Sequence, residues 1–410
     1  MTEAQKRVQT AIEELVESGA ETGVQVAVYL RGELVVDAVA GVADSATGRP
    51  LTSGTPIYST STGKGVTAAV VHVLAERGVL DYDTPIAELW PEFGAHGKQA
   101  ATLRHALTHS IGIPGVPVDT TPEDLCDWDK MCAALAAAEP WWEPGTKTGY
   151  HPQSFGYIIG EVVRRATGER ISQVLREEIA VPLGVADELY FGVPATDLGR
   201  LARLEEAGPS MEMPPEMLLE IPFFRVVNGY TAAPMAAMPD AAFGNRADVL
   251  SSDIPAGGTF SARAVARVYA ALLGEVNGVR LISPERLREV TAVSMTGMDE
   301  IAGMPATLGL GYNLSPSPHH TSNASAMSGT SSAVGASGTS GTSSKSVRSA
   351  ASGTSGDPTR FGMSGSGGST AWADTATGLA FALTKNLVSP GVFTTADHIT
   401  EIVITSLSDH

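Results

Sequence analysis

The spacing of apolar residues along the chain changes period several times, and each change marks an element. Val8, Ile12, Leu15 and Val16 recur at helical spacing over residues 4–18, and the glycines at 19 and 23 close that helix. Residues 24–30 and 33–40 are β-branched runs joined at Arg31-Gly32, which predicts an antiparallel hairpin. A turn-rich connection over 41–55 delivers the chain to Pro56-Ile57-Tyr58. Residues 66–77 then return to the helical period, with Gly78 as a C-terminal cap. Helical segments between Gly/Pro loops continue to residue 207, among them 101–109, 122–138 and 154–168.

A further helix, over 261–273, follows the Gly257-Gly258 turn. Strands are expected at 308–314, 361–365, 370–374 and 378–385, the last two joined around Thr375-Ala376-Thr377, with a closing helix at 394–407. Strands at both ends of a helical middle predict an α+β fold. Its mixed α/β domain has an antiparallel sheet built from both chain ends, residues 1–60 and 256–410, and an all-α lobe, residues 61–255, is inserted between them.

Two stretches depart from these patterns. Residues 208–240 are rich in Met, Pro and Phe (Met211, Met213, Pro214, Pro215, Met217, Pro222, Phe223, Phe224, Met235 and Met238), a composition that serves ordinary core or the wall of an apolar acyl pocket. Residues 315–358 are Ser, Gly, Thr and Ala with almost no large apolar side chain. They cannot offset the entropy of ordering and are expected to form a mobile loop, with His319 and His320 solvated at its start.

Composition narrows the function classes. In 410 residues, 43% apolar content suffices for large cores. A formal net charge of -18 argues against nucleic acid or an anionic membrane as partner, because either would be repelled at long range. No apolar run reaches transmembrane length, and the polar start Met1-Thr2-Glu3-Ala4-Gln5-Lys6 lacks a secretory pattern, so a cytoplasmic protein is expected. Cys126 and Cys132, the only cysteines, read as free thiols. With no Cys/His cluster beside them, no metal site and no cofactor is expected.

The candidate chemistry begins at Ser59-Thr60-Ser61-Thr62-Gly63-Lys64-Gly65, at the head of the helix that follows. Ser61 and Lys64 are three residues apart and so share one helix face. The orphan N–H groups and dipole of a helix start favour a developing oxyanion, and a lysine shielded by Val66 and Val70 has its pKa lowered towards that of a proton acceptor. The same spacing also describes a capped helix, so the other motifs decide. Tyr150-His151-Pro152 follows a Trp-Trp-Glu-Pro-Gly loop and presents a tyrosine that, ionised beside Lys64, would serve as general base. Phe361-Gly362-Met363-Ser364-Gly365-Ser366-Gly367-Gly368-Ser369 puts glycines on a strand, where backbone approaches a ligand closely and the Ser366 N–H can pair with that of Ser61 as an oxyanion hole.

Together, in this order, the three stretches resemble the serine β-lactamase and penicillin-binding-protein superfamily, in particular class C β-lactamases, DD-peptidases and family VIII carboxylesterases. Glu76 to Asp83, Leu107-Thr108-His109-Ser110-Ile111-Gly112 and Pro182-Leu183-Gly184 are similar to further family landmarks, so the likeness covers most of the chain outside the Ser/Gly segment. The resemblance implies Ser61 as acylated nucleophile, Lys64 and Tyr150 as proton relay, Ser61 and Ser366 as oxyanion donors, and His109 as structural. It places Pro152, Met363 and Gly365 against the substrate. Two positions depart from the family pattern. Pro152 stands where β-lactamases carry Asn, and Met363 where Lys or His is usual, so neither can make the polar contacts that an anionic β-lactam needs. Lys147-Thr148-Gly149 precedes Tyr150 on a loop and is a coincidental match to the strand motif. The implied activity is hydrolysis of short-chain, small-molecule carboxylic esters through an acyl-serine. Acyl transfer from the same intermediate, β-lactamase or DD-peptidase-like action and a non-catalytic binding role are the competing uses.

Overall fold

Both ends of the chain contribute strands to one antiparallel sheet. The computed structural model describes residues 2–208, 221–316 and 357–407. In chain order the strands are β1 (Gly23–Leu30), β2 (Glu33–Asp44), β3 (Arg49–Pro50), β4 (Met295–Met298), β5 (Pro305–Leu308), β6 (Asn313–Ser315), β7 (Arg360–Ser364), β8 (Thr370–Asp374) and β9 (Leu379–Lys385). Their order across the sheet is β4-β5-β6-β7-β8-β9-β1-β2-β3. The seam between the chain ends is β9 against β1, with Ala27 opposite Ala382 and Val28 opposite Phe381.

Strand alternation sorts the side chains of this seam by size. Val24, Val26, Val28, Leu379, Phe381 and Leu383 face the two terminal helices, Glu3–Glu17 and Thr394–Leu407, and form one core with Val8, Ile12, Ile399 and Val403. Ala27, Ala380 and Ala382 face the opposite way and let the helix Ala262–Leu273 lie close to the sheet. Beyond that helix the core continues into the helical middle of the chain.

The helix Gly63–Glu76 runs through the centre of this second core, and residues 63 to 75 are all buried. Such a helix is apolar on every side because every side meets protein. Gly78, at φ +71°, ends it as expected. His72 is held neutral within it: Nδ1 lies 2.8 Å from Tyr82 Oη and Nε2 3.0 Å from the Leu310 carbonyl, and burial pushes its pKa down to about 3.

The α+β architecture is the one expected, with local differences. The expected strand at 308–314 is broken into β5 and β6 by a tight turn in which Gly309 N–H donates to the Tyr312 carbonyl and Gly311 adopts φ +83°. The expected helix at 122–138 is two helices, Pro122–Cys126 and Trp128–Ala137, because Asp127 leaves the helical conformation and caps Lys130 N–H. The helical middle also carries two-residue strands, among them Val116–Pro117 paired with Tyr230–Thr231. The hairpin of β4 and β5 was not expected from the sequence. Most of the Ser/Gly segment (317–356), including His319 and His320, and Met211, Met213, Pro214, Pro215 and Met217 lie outside the described residues.

Candidate active site

The turn before the central helix sets the direction of Ser61. Residues Thr60–Thr62 form a 3-10 turn that runs straight into the helix Gly63–Glu76. Thr60 has φ +46°, a left-handed conformation that a β-branched residue adopts only under strain. The turn is held from below by the end of β7. A Cβ on Gly365 would lie 2.3 Å from both the Ser59 carbonyl oxygen and Thr60 Oγ1, so only glycine fits there. Thr62 Oγ1 donates to the Ser369 carbonyl at 3.0 Å, tying the same two segments together. Ser366, exposed and one residue beyond Gly365, therefore sits on the turn that lies against Ser59–Thr62. Gly365→Ala is expected to push these segments apart and lower kcat for a simple ester by about 10²-fold, the size of effect of losing one oxyanion donor. Steady-state kinetics beside a thermal melt checks this, a folded variant with full kcat being the contrary result.

Ser61 Oγ is hydrogen-bonded to two groups, Lys64 Nζ at 3.0 Å and Tyr150 Oη at 2.6 Å. Lys64 Nζ also donates to the Ala256 carbonyl at 2.9 Å and lies 5.0 Å from the centre of the Tyr150 ring. Lys64 is fully buried, and burial alone brings its pKa down to about 7. Tyr150 moves the other way: burial pushes its phenol up to about 12, with the hydrogen bond to Ser61 opposing and the charge of Asp299 adding to the rise. This corrects the expectation of an ionised tyrosine. An amine that is half neutral at pH 7 supplies too little positive charge to hold a buried tyrosinate. The resting pair is an amine near its midpoint and a neutral phenol.

Tyr150 is positioned from both sides. The His109 ring lies 5.1 Å from its ring, and His109 Nδ1 accepts from His151 N–H at 3.2 Å, so His109 packs against the tyrosine and holds its loop. On the other side, Asp299 Oδ1 accepts from Tyr150 N–H at 2.9 Å, Ile301 N–H at 2.9 Å and Ala302 N–H at 2.7 Å. Asp299 thus fastens the tyrosine loop to the β4–β5 hairpin. Sequence reading missed it, since an Asp in a turn signals the turn and not a partner 149 positions away. Asp299→Ala is expected to destabilise the fold by about 2–4 kcal/mol, from three backbone donors left without an acceptor. It should also lower kcat about tenfold through a looser Tyr150. Urea unfolding and kinetics report the two effects separately.

Lys147 pairs with Glu300 at the surface (3.1 Å), and Thr148 Oγ1 donates to the Thr108 carbonyl at 3.1 Å, so that tripeptide anchors a loop. Pro152 is half-buried in the turn that opens the helix Ser154–Thr167. Met363 is 5% exposed. It packs beside Gly65, and Asn313 Nδ2 donates to its Sδ at 3.7 Å. A separate cavity of about 530 Å³ lies between Trp90, Cys132, Ala133, Ala137, Arg164 and Arg165. Its buried acid, Glu161, is already saturated by both arginines and Trp128 Nε1.

A serine, a buried lysine and a tyrosine meeting at one oxygen can be compared with known proteins. Residues 8–403 match the Beta-lactamase family model. The chain belongs to the beta-lactamase family. Within it, the chain is 34% identical over 384 residues to the Esterase/beta-lactamase LipL of Mycobacterium tuberculosis (strain ATCC 25618 / H37Rv), covering 92% of this chain and 79% of that one. Among solved structures it is similar to a family VIII carboxylesterase (TM-score 0.79, 31% identity, 99% and 98% of the two chains covered). It is also similar to a penicillin-binding protein homolog from Caulobacter crescentus (TM-score 0.77, 30% identity, the same coverage). The beta-lactamase family thus includes relatives named for esters and relatives named for penicillins, and the site has to discriminate between them.

Proposed function

We propose that this member of the family hydrolyses short-chain carboxylic esters through an acyl-Ser61 intermediate. The observation that carries the reading is the Ser61 oxygen bonded at once to Lys64 Nζ and Tyr150 Oη. In the neutral form, Lys64 takes the Ser61 proton as Oγ attacks the ester carbonyl, and the oxyanion that forms accepts from the Ser61 and Ser366 N–H groups. When the tetrahedral adduct collapses, the C–O bond to the alcohol breaks, Tyr150 gives its proton to the departing alkoxide, and the Lys64 ammonium restores the phenol. Water repeats the sequence on the acyl-enzyme. It loses a proton to Lys64, adds to the carbonyl, and releases the acid as Ser61 regains its proton.

Uncharged esters are favoured over β-lactams because Met363 offers no cation for a substrate carboxylate, and Pro152 offers no amide. The names of the similar Esterase EstB of Burkholderia gladioli and of the family VIII carboxylesterase support the same side, while that of LipL carries both activities. The test is covalent. Incubation with a fluorophosphonate should add one adduct mass to the intact protein, mapping to the peptide that contains Ser61, while ethyl acetate is turned over by untreated protein. An unlabelled Ser61 with no ester turnover would favour a non-catalytic role.

A further inference from the structure

We infer that the leaving alcohol of the natural ester is apolar and extends out of the cleft over a hydrophobic collar around Tyr150; this rests on the ester-hydrolase reading above. Tyr150 belongs to a cluster outside the main core, in which its ring, Trp141 and Phe223 pack against buried Trp142, Ala232 and Ile301. Two chain segments bring these residues together. One runs from Phe223 through the strand pair Val226–Val227 and Tyr230–Thr231 to Ala232. The other is the turn between β4 and β5 that carries Ile301 and is closed by Asp299 N–H donating to the Met304 carbonyl at 2.9 Å.

The first segment and the chain just beyond it leave Val226 (45% exposed) and Met235 (61%) in solvent, and the second leaves Met298 (59%) and Met304 (50%). They are four of the ten exposed large hydrophobic side chains among the described residues, and each lies within six residues along the chain of Phe223, Ala232 or Ile301, members of the cluster that contains Tyr150. Exposed apolar side chains on the segments that pack against a reactive residue are a mark of a ligand wall, and flexible methionines accept varied shapes. Two cations stand at the collar: Arg225, with its guanidinium 5.8 Å from the centre of the Trp141 ring, and Lys147, paired with Glu300 of the β4–β5 turn at 3.1 Å.

The chemistry assigns the collar to the alcohol side. In the proposed collapse the proton travels from Tyr150 Oη to the departing alkoxide, so the alcohol must lie against Tyr150, and the cluster that packs on the Tyr150 ring lines its exit. An acyl chain leaves the carbonyl carbon on the opposite bond, away from that proton donor. Methylenes of the alcohol laid on Met298 and Met304 are removed from water, which favours binding of longer alcohols up to the length of the collar.

Two ester series separate this from its alternatives: acetates of ethanol, butanol, hexanol and octanol, and ethyl esters of acids of matching lengths, followed by pH-stat. In the wild type, kcat/KM is expected to rise about twofold to fourfold per methylene along the acetate series over its first members. The rise along the ethyl-ester series should be shallower. In the double variant Met298→Ser, Met304→Ser the octyl-to-ethyl ratio should fall about tenfold. A flat acetate series, or a rise confined to acyl length, overturns the inference while leaving ester hydrolysis intact. No turnover of ethyl acetate by the wild type would instead overturn the hydrolase reading, and this inference with it. The wild-type series alone gives this result, however the serine variant folds.

Discussion

Ser61→Ala is expected to lower kcat/KM for ethyl acetate by about 10⁴-fold or more and to abolish the fluorophosphonate adduct, with the fold intact. The size follows from the absence of a substitute. Ser59 is buried, and its Oγ donates to the Ile57 carbonyl at 3.0 Å. Thr62 Oγ1 is committed to the Ser369 carbonyl, and Ser364 Oγ to Thr370 Oγ1 at 2.8 Å. Thr60 Oγ1 is buried against Gly365. None of these hydroxyls meets a proton acceptor of the kind that Lys64 provides. Alanine also fits the existing backbone, since Ser61 opens a helix and its side chain is only half-buried. The variant should therefore melt close to the wild type. Residual activity above about 1% in a variant with no adduct would point to a different nucleophile, and kinetics with intact-mass analysis on one preparation decides it.

The parts of this site that were legible in the sequence are those encoded locally. Ser61 and Lys64 are one helical turn apart, so their meeting follows from the helix alone. The hairpin of β1 and β2 and the strands β7 to β9 follow from alternation and turn residues. Tyr150 and Gly365 were found because motif order restricts where they fall. What stayed hidden depends on tertiary packing. The pairing of Asp299 with the Tyr150 loop joins two turns from distant segments. The left-handed Thr60 has no signal in its residue type, since threonine ordinarily avoids that region. The break of the expected strand at 308–314 reflects a turn whose Leu310 carbonyl faces His72, a partner 238 positions away. The lowered pKa of Lys64 was expected, but the charge of Tyr150 was misplaced for the same reason. Sequence shows a lysine near a tyrosine, but which one carries charge depends on how completely each is removed from water.

That ordering of charge leads to the second large effect. If neutral Lys64 is the base, kcat/KM should rise with pH, reach half its plateau near pH 7, and stay flat through alkaline pH, because Tyr150 keeps its proton up to about 12. A resting tyrosinate base predicts the opposite, activity still climbing above pH 10. Lys64→Met removes the amine but keeps an unbranched chain in the buried slot. It should lower kcat by about 10³- to 10⁴-fold and erase the limb near pH 7. Stability carries an independent sign. The folded pKa of Lys64 lies below its usual 10.5, so between about pH 7 and 10.5 the unfolded chain binds more protons and wild-type stability rises, by at most roughly 1.4 kcal/mol per pH unit. Below pH 7 the amine is charged in both states, and that contribution is gone. The methionine variant has no such group and should lose that slope, although the Ala256 carbonyl then lacks its donor. Urea unfolding of both proteins at pH 6, 8 and 9.5 measures the difference. If the two proteins gain stability equally across that range while the variant is inactive, Lys64 is needed for the reaction but is not the depressed-pKa base, and the proton must go elsewhere.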